Sequence, residues 1–339
     1  MRRAHHHHRI TYSAIGFAFG MVCIWVTATS ITLPEPSKSD SGARSPSADL
    51  PANTRVVTIP KPHTDDDNDD ERATALVDTG TSSIPTFPRY LHLHPKPSTT
   101  STTQEDPPYQ LLGLGIRTVS FLHIQVYVIG LYIHPKSIPS LQKYLLQRFT
   151  SPSTPTSTST TLLLPNERET LLTHLLDATK NEELWSEILQ ETGIQTVVRI
   201  VPTRNTDFQH LRDAWVRGLT ARAQRDREAF GEGEGLGEAV GQFKALFNRG
   251  SVPKGREMLL ARDGEGKLSV WYEDGKAGEE GRERQKLGEV SDERISRSIW
   301  LGYLAGAQVS SEEARRNIIE GIMGLAERPV GTVEGQVHV

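Results

Sequence analysis

With 339 residues, 36% of them hydrophobic, and Ser, Thr, Pro and Asp crowded into the first hundred positions, the chain has core-forming sequence for one domain of roughly 200 residues. The formal charge of −4 gives no electrostatic reason to expect nucleic acid as a partner. The one cysteine, Cys23, excludes an intramolecular disulfide framework and a multi-cysteine metal site within the chain.

Residues 1–9 form a basic flank carrying Arg2, Arg3 and Arg9, with His5 to His8 between. The following stretch, Ile10 to Leu33, has no charged side chain. As a helix rising about 1.5 Å per residue it would cross a hydrocarbon core roughly 30 Å thick, so 10–33 is expected to be a transmembrane anchor. The competing reading is a secretory signal cleaved near Ala28 to Ser30. From 34 to 107 the prolines, Ser/Thr clusters and the acidic run Asp65 to Glu71 read as a disordered linker. The acidic run lacks the glycine and spaced ligands of a calcium loop. Neither the four N-terminal histidines nor His92 and His94 are assigned a site.

Order is expected from about Tyr109. The runs Gly113 to Leu122 and Ile124 to Ile133 are rich in β-branched and aromatic residues with approximate alternation, which predicts two successive strands. A helix is expected over Leu141 to Phe149, then an insert, 150–165, whose first part holds only Ser, Thr and Pro. Residues 166–190 place Leu171, Leu172, Leu175, Leu176, Leu184, Ile188 and Leu189 at helical spacing, and Ile194 to Val201 returns to strand character. Thr206 and Gln209 have capping-box spacing before a helix carrying Phe208, Leu211, Trp215 and Leu219. Gly231 to Gly237 is read as a loop between helices, because no strand leads into it and its glutamates would repel phosphate. Glu257 to Tyr272 predicts a hairpin turning at Asp263 to Gly266. Two further helices are expected, one after Ser291 with Ile295, Ile299, Trp300, Tyr303 and Leu304, and one capped by Ser310 and Glu313. Strands, helices, a hairpin and helices in that order give an α+β domain over 108–330, with a mostly antiparallel sheet and helices against one face.

The run Gly113-Leu-Gly-Ile-Arg117, the strand Val126-Tyr-Val-Ile-Gly-Leu-Tyr-Ile133, the element Gly250-Ser-Val-Pro-Lys-Gly255 and the helix at Ile295 resemble the chalcone isomerase family in content and order. Arg204-Asn-Thr-Asp-Phe208 and Ile295-Ser-Arg-Ser-Ile-Trp-Leu301, with the N-terminal anchor, are similar to its fungal mitochondrial branch, the altered-inheritance-of-mitochondria group. The resemblance implies the family's open-faced β-sandwich and a place in the mitochondrial inner membrane as a single-pass protein. The basic residues before the anchor favour the intermembrane space for the domain.

The resemblance also implies a site. Arg117 matches the family arginine that polarises the chalcone carbonyl, presented by a glycine-rich turn. Tyr127 stands where the family has threonine, Phe208 where it has tyrosine and Trp215 where it has asparagine, while Ser296 fills a remaining hydroxyl position. Such a cleft is a poor chalcone site. The fungal branch implies haem as the ligand, held by Arg117, Tyr127, Phe208, Trp215 and Ser296. His210 or His123 would ligate the iron, with His174 a further histidine to consider. An isomerase-type intramolecular lyase and a carrier of fatty acid or another hydrophobic small molecule are the alternatives.

Overall fold

The computed structural model describes residues 56–57, 75–93, 106–149, 165–231, 235–274 and 283–327. The expected anchor 10–33, the linker up to 74 apart from 56–57, and the body of the insert, 150–164, lie outside them. Among the described residues no helix is long and apolar enough to cross a membrane.

A seven-stranded antiparallel sheet is described, built from β4 (Tyr90–Leu91), β5 (Tyr109–Val119), β6 (Ile124–Ile133), β7 (Thr196–Pro202), β10 (Met258–Arg262), β11 (Leu268–Asp274) and β12 (Glu283–Val290). Its order is β12-β11-β10-β7-β6-β5-β4. β8 (Thr206–Asp207) and β9 (Ser251–Val252) pair apart from it. The side chains of β6 alternate between two cores, as period two requires. Tyr127, Ile129, Leu131 and Ile133 join one core, whereas Val128 and Tyr132 join the other.

Helices cover the first face: α1 (Ile138–Phe149), α2 (Pro165–Leu176), α3 (Asn181–Glu191), α4 (Phe208–Arg225), α5 (Leu236–Leu246), α6 (Glu293–Leu304) and α7 (Glu312–Ala326). Their buried stripes, including Trp185, Ile188, Trp300, Ile318 and Ile322, form that core with β6.

The second face is covered by residues that the sequence reading assigned to the linker. Residues 75–93 supply β2 (Leu76–Asp78), β3 (Thr86–Pro88) and β4, while β1 (Val56–Val57) pairs with β2. Val77, Phe87 and Leu91 are buried against Leu111, Leu114, Val128, Val197 and Leu259. Three large apolar side chains in short strands are too few to show periodicity, yet they suffice to close a face. Charge fastens the same cover: Arg199 stacks 4.0 Å from the Phe87 ring, and both Arg199 and Arg284 pair with buried Glu257. Arg284 also donates to the His92 carbonyl.

Other departures are local. The helical spacing over 166–190 is carried by two helices, because Asp177 accepts from the Thr179 amide at 2.9 Å and hydroxyl at 2.6 Å and so favours a turn between them. The α4 cap is Asp207, whose carboxylate accepts from the His210 amide at 2.6 Å, and not Thr206. The α7 cap is Ser311 and not Ser310. β12 escaped the sequence reading because an edge strand with charged residues shows no apolar alternation.

Candidate functional site

Gly113, Gly115 and Arg117 lie two residues apart on β5, so they share the face that the helices cover. The two glycines are therefore strand residues and form no turn. A Cβ on Gly113 would stand 2.4 Å from the backbone of Asn317, and one on Gly115 would stand 2.4 Å from the Ala314 nitrogen. Their smallness lets α7 lie directly on β5. The strand and helix are then joined by Asn317 donating to the Leu114 carbonyl at 2.7 Å and Glu313 accepting from the Ile116 amide at 2.9 Å.

Arg117 is the next residue on that face. It pairs across the ladder with Tyr127, and its Nη1 donates to the Ser310 carbonyl at 2.7 Å. Tyr127 Oη lies 3.4 Å from Tyr303 Oη, which accepts from Trp215 Nε1 at 3.0 Å. β5, β6, α4, α6 and the segment before α7 thus converge on one polar chain inside an apolar core. Burial pushes the Tyr127 pKa up, with Arg117, Tyr303 and Ser310 opposing it, and burial together with Tyr127 pushes Tyr303 further up. Both phenols are protonated at neutral pH. They are hydrogen-bond donors and not bases.

The aromatic wall packs on itself. Phe208 meets Tyr272 edge-on at 4.9 Å, and Trp215 lies 5.5 Å from Phe247 and 6.2 Å from Phe243. Phe208 is buried, while Trp215 keeps partial exposure.

The structure brings Arg117, Tyr127 and Trp215 together, with Phe208 beside them in the same core. It leaves out Ser296, seven residues before Tyr303 and hence about 10 Å along the helix. Ser296 Oγ donates to the Gly266 carbonyl at 2.6 Å and pins the β10–β11 turn to α6. His210 is exposed, two residues past buried Phe208 and so on the opposite side of α4. His123 is exposed in the β5–β6 turn, and His174 is exposed on α2 against Phe149. Among the described residues no group of three or more His, Cys, Asp or Glu is placed to hold a metal ion.

Tyr303 and Ser310 were not predicted as site residues. In the sequence Tyr303 carries only a core signal, although its seven-residue spacing from Ser296 puts the two on similar helix faces. Ser310 contributes through its backbone, which leaves no side-chain signal. A separate open cleft of about 680 Å³ is lined by Asp226, Glu228, Asp292, Glu293, Arg294 and Arg297. Its arginines pair with its own acids, Arg294 with Asp292 and Arg297 with Glu293, and Ala229 is its one apolar lining residue.

A family model described as chalcone isomerase like matches residues 107–319. The altered inheritance of mitochondria protein 18, mitochondrial, of Debaryomyces hansenii is 32% identical over 244 residues, covering 72% of this chain and 74% of that protein. The protein of the same name from Eremothecium gossypii is 29% identical over 218 residues, covering 64% and 67%. Among solved structures, an Arabidopsis thaliana fatty-acid binding protein is similar at 20% identity and a TM-score of 0.46, covering 68% of this chain and 93% of that one.

Proposed function

The chain belongs to the chalcone isomerase-like family, and from that premise we propose that it is a non-catalytic member that binds an apolar molecule bearing a carboxylate, haem being the member of that class we name. The observation that carries this reading is Arg117, a cation at the edge of an aromatic core whose observed hydrogen bond is to a backbone carbonyl. A carbonyl satisfies a donor without neutralising the charge, so a carboxylate that displaces it gains a charge-assisted contact. Trp215 and the protonated Tyr127 and Tyr303 add further donors and an apolar face.

Isomerase chemistry is disfavoured because Phe208 and Trp215 replace the polar groups that the family uses around the carbonyl. For haem, Arg117 suits a propionate and the aromatic residues suit the ring, but the placement of His210 and His123 gives the iron no histidine at this cluster. Iron-free porphyrin should therefore bind about as well as haemin. The relatives' names support the mitochondrion, and the uncharged run 10–33 behind Arg2, Arg3 and Arg9 supports anchoring in the inner membrane with the domain on the intermembrane-space side. The alternative of an isomerase-type lyase rests on Arg117 alone.

The full chain is to be titrated with haemin, protoporphyrin IX and a long-chain fatty acid, alongside Arg117→Ala and Arg117→Lys. A lost shielded contact of about 1.5 to 3 kcal/mol weakens binding by about tenfold to a hundredfold in the alanine variant, with partial recovery in lysine. Parent-like binding by both folded variants would remove Arg117 from the site, and cyclisation of a chalcone would establish the lyase.

A further inference from the structure

β5 and β6 meet in a turn, Ser120 to His123, with an unusual composition. Ser120 and His123 hold positive φ, 67° and 50°, and the His123 amide donates to the Ser120 carbonyl at 3.2 Å. Between them Phe121 is 88% exposed and Leu122 is 66% exposed, and with Val119 they are the exposed large hydrophobic residues among those described. Hairpin apices commonly take Gly, Asn or Asp, whose conformations and polarity suit solvent. Here the two apex side chains are apolar and exposed, at the end of a strand pair whose other large apolar side chains, Val119 apart, are at least partly buried.

The surroundings of the apex are also biased. Thr81 Oγ1 donates to Gln125 at 2.7 Å and brings the 79–85 loop to the base of the hairpin. β6 pairs Tyr127 with Pro202, and the Gly255 amide donates to the Pro202 carbonyl, so the loops at 203–205 and 253–256 reach the same end of the sheet. The four segments 79–85, 118–125, 203–205 and 253–256 contain no carboxylate, in a chain with more Asp and Glu than Lys and Arg. They carry exposed Arg204 and Lys254. Glu312 and Glu313 stand back at the level of Ile116, engaged with Arg315, Arg316 and the Ile116 amide.

We propose that this end of the domain is a membrane-docking edge, at which Phe121 and Leu122 enter the headgroup region of an anionic phospholipid surface while Arg204 and Lys254 face the lipid phosphates. The occupant follows from shape and charge. Two side chains on a narrow ribbon offer far less than the roughly 800 Å² per partner of a stable protein interface, whereas shallow entry into a bilayer needs only such a wedge with basic neighbours. The proposal rests on the reading of residues 10–33 as an anchor, which keeps β1, and β2 paired to it, within the extended reach of residues 34–55, on the order of 75 Å at most.

The test uses the full chain in a Cys23→Ser background, with Phe121→Cys carrying an environment-sensitive fluorophore. Glu265→Cys, exposed in the β10–β11 turn at the opposite end of the sheet, carries the same label as a control. Each is reconstituted into phosphatidylcholine vesicles with and without phosphatidylglycerol, floated, and quenched by a nitroxide on the upper acyl chain. In anionic vesicles the label at 121 should be quenched at least about twofold more than the label at 265, and the joint substitution Arg204→Glu and Lys254→Glu should abolish the difference. A chain that floats with position 121 as wet as position 265 overturns the docking edge alone. A chain that does not float overturns the anchor, and the proposal with it. A blue shift without lipid quenching that grows with protein density assigns the apex to a second copy and likewise overturns the proposal.

Discussion

Glu257 shows how one residue can hold distant segments together. Its carboxylate lies between the Arg199 and Arg284 guanidiniums, and through them it reaches the Phe87 ring and the His92 carbonyl of the N-terminal cover. Burial works against its ionisation, and the two arginines overcome that, so its pKa falls below the usual 4.5. Removing the charge leaves two guanidiniums in a shielded place, and Glu257→Gln should cost about 3 kcal/mol at neutral pH. A carboxylate with a depressed folded-state pKa contributes its full stabilisation above its unfolded value and loses it as pH falls through the folded one. The gap between parent and variant in urea melts should therefore be constant near neutrality and shrink below about pH 4.5. A gap that persists undiminished in acid would show that packing and not charge is what the glutamine disturbs. None of this was legible in the sequence, because nothing local distinguishes Glu257 from the chain's other acids. The strand that carries Arg117 was legible from its alternation, although the reason for its glycines was not.

The β5–α7 contact shows what helical spacing reveals and what it hides. Ile318, Ile319, Ile322 and Leu325 announced the buried stripe of α7, and the structure buries all four. Glu313, read as half of a capping box, instead accepts from the Ile116 amide, because an unpaired strand N–H is a stronger claim on a carboxylate than a solvated helix end. Capping motifs are local statements, and a partner 197 positions away can override them. The closest approach is at Gly321, where a Cβ would stand 2.0 Å from the Leu112 carbonyl oxygen. Backbone against backbone cannot yield as a flexible side chain does. Gly321→Ala should destabilise by about 3 kcal/mol or more, at or beyond the upper end of ordinary overpacking. Three residues on, Gly324 has nothing within 4 Å of the same position, and Gly324→Ala should be neutral or stabilising by about 0.5 to 1 kcal/mol. Thermal melts of the two variants decide the matter, and equal shifts would mean that α7 does not lie on β5 as described.

At the scale of the molecule, the sheet is covered on one face by helices and on the other by a short N-terminal segment. The first half of that design was legible, since helical and strand periodicities follow from Tyr109 onward. The second was not, because residues 75–93 fold only by leaning on a face made elsewhere. A truncated chain beginning at Ala75 should melt as the full domain does. One beginning at Asp106 loses Val77, Phe87 and Leu91, each worth roughly 1.5 to 3 kcal/mol when buried, and should aggregate or melt many degrees lower. Similar melting of both truncations would show that the cover is ornamental. The same long-range logic governs how the chain reaches this state. Strand β5 opens the main part of the sheet and helix α7 is the last element described, and they are tied at Arg117 to Ser310 across 193 positions and at Leu114 to Asn317 across 203. A protein threaded from its N-terminus, off a ribosome or through a translocation pore, pairs β5 with β6 early but must wait until α7 emerges before that strand pair is covered. Its contact order is high, and collapse should be slow and late. A premature stop anywhere before Glu312 yields an unfinished polypeptide and not a smaller domain.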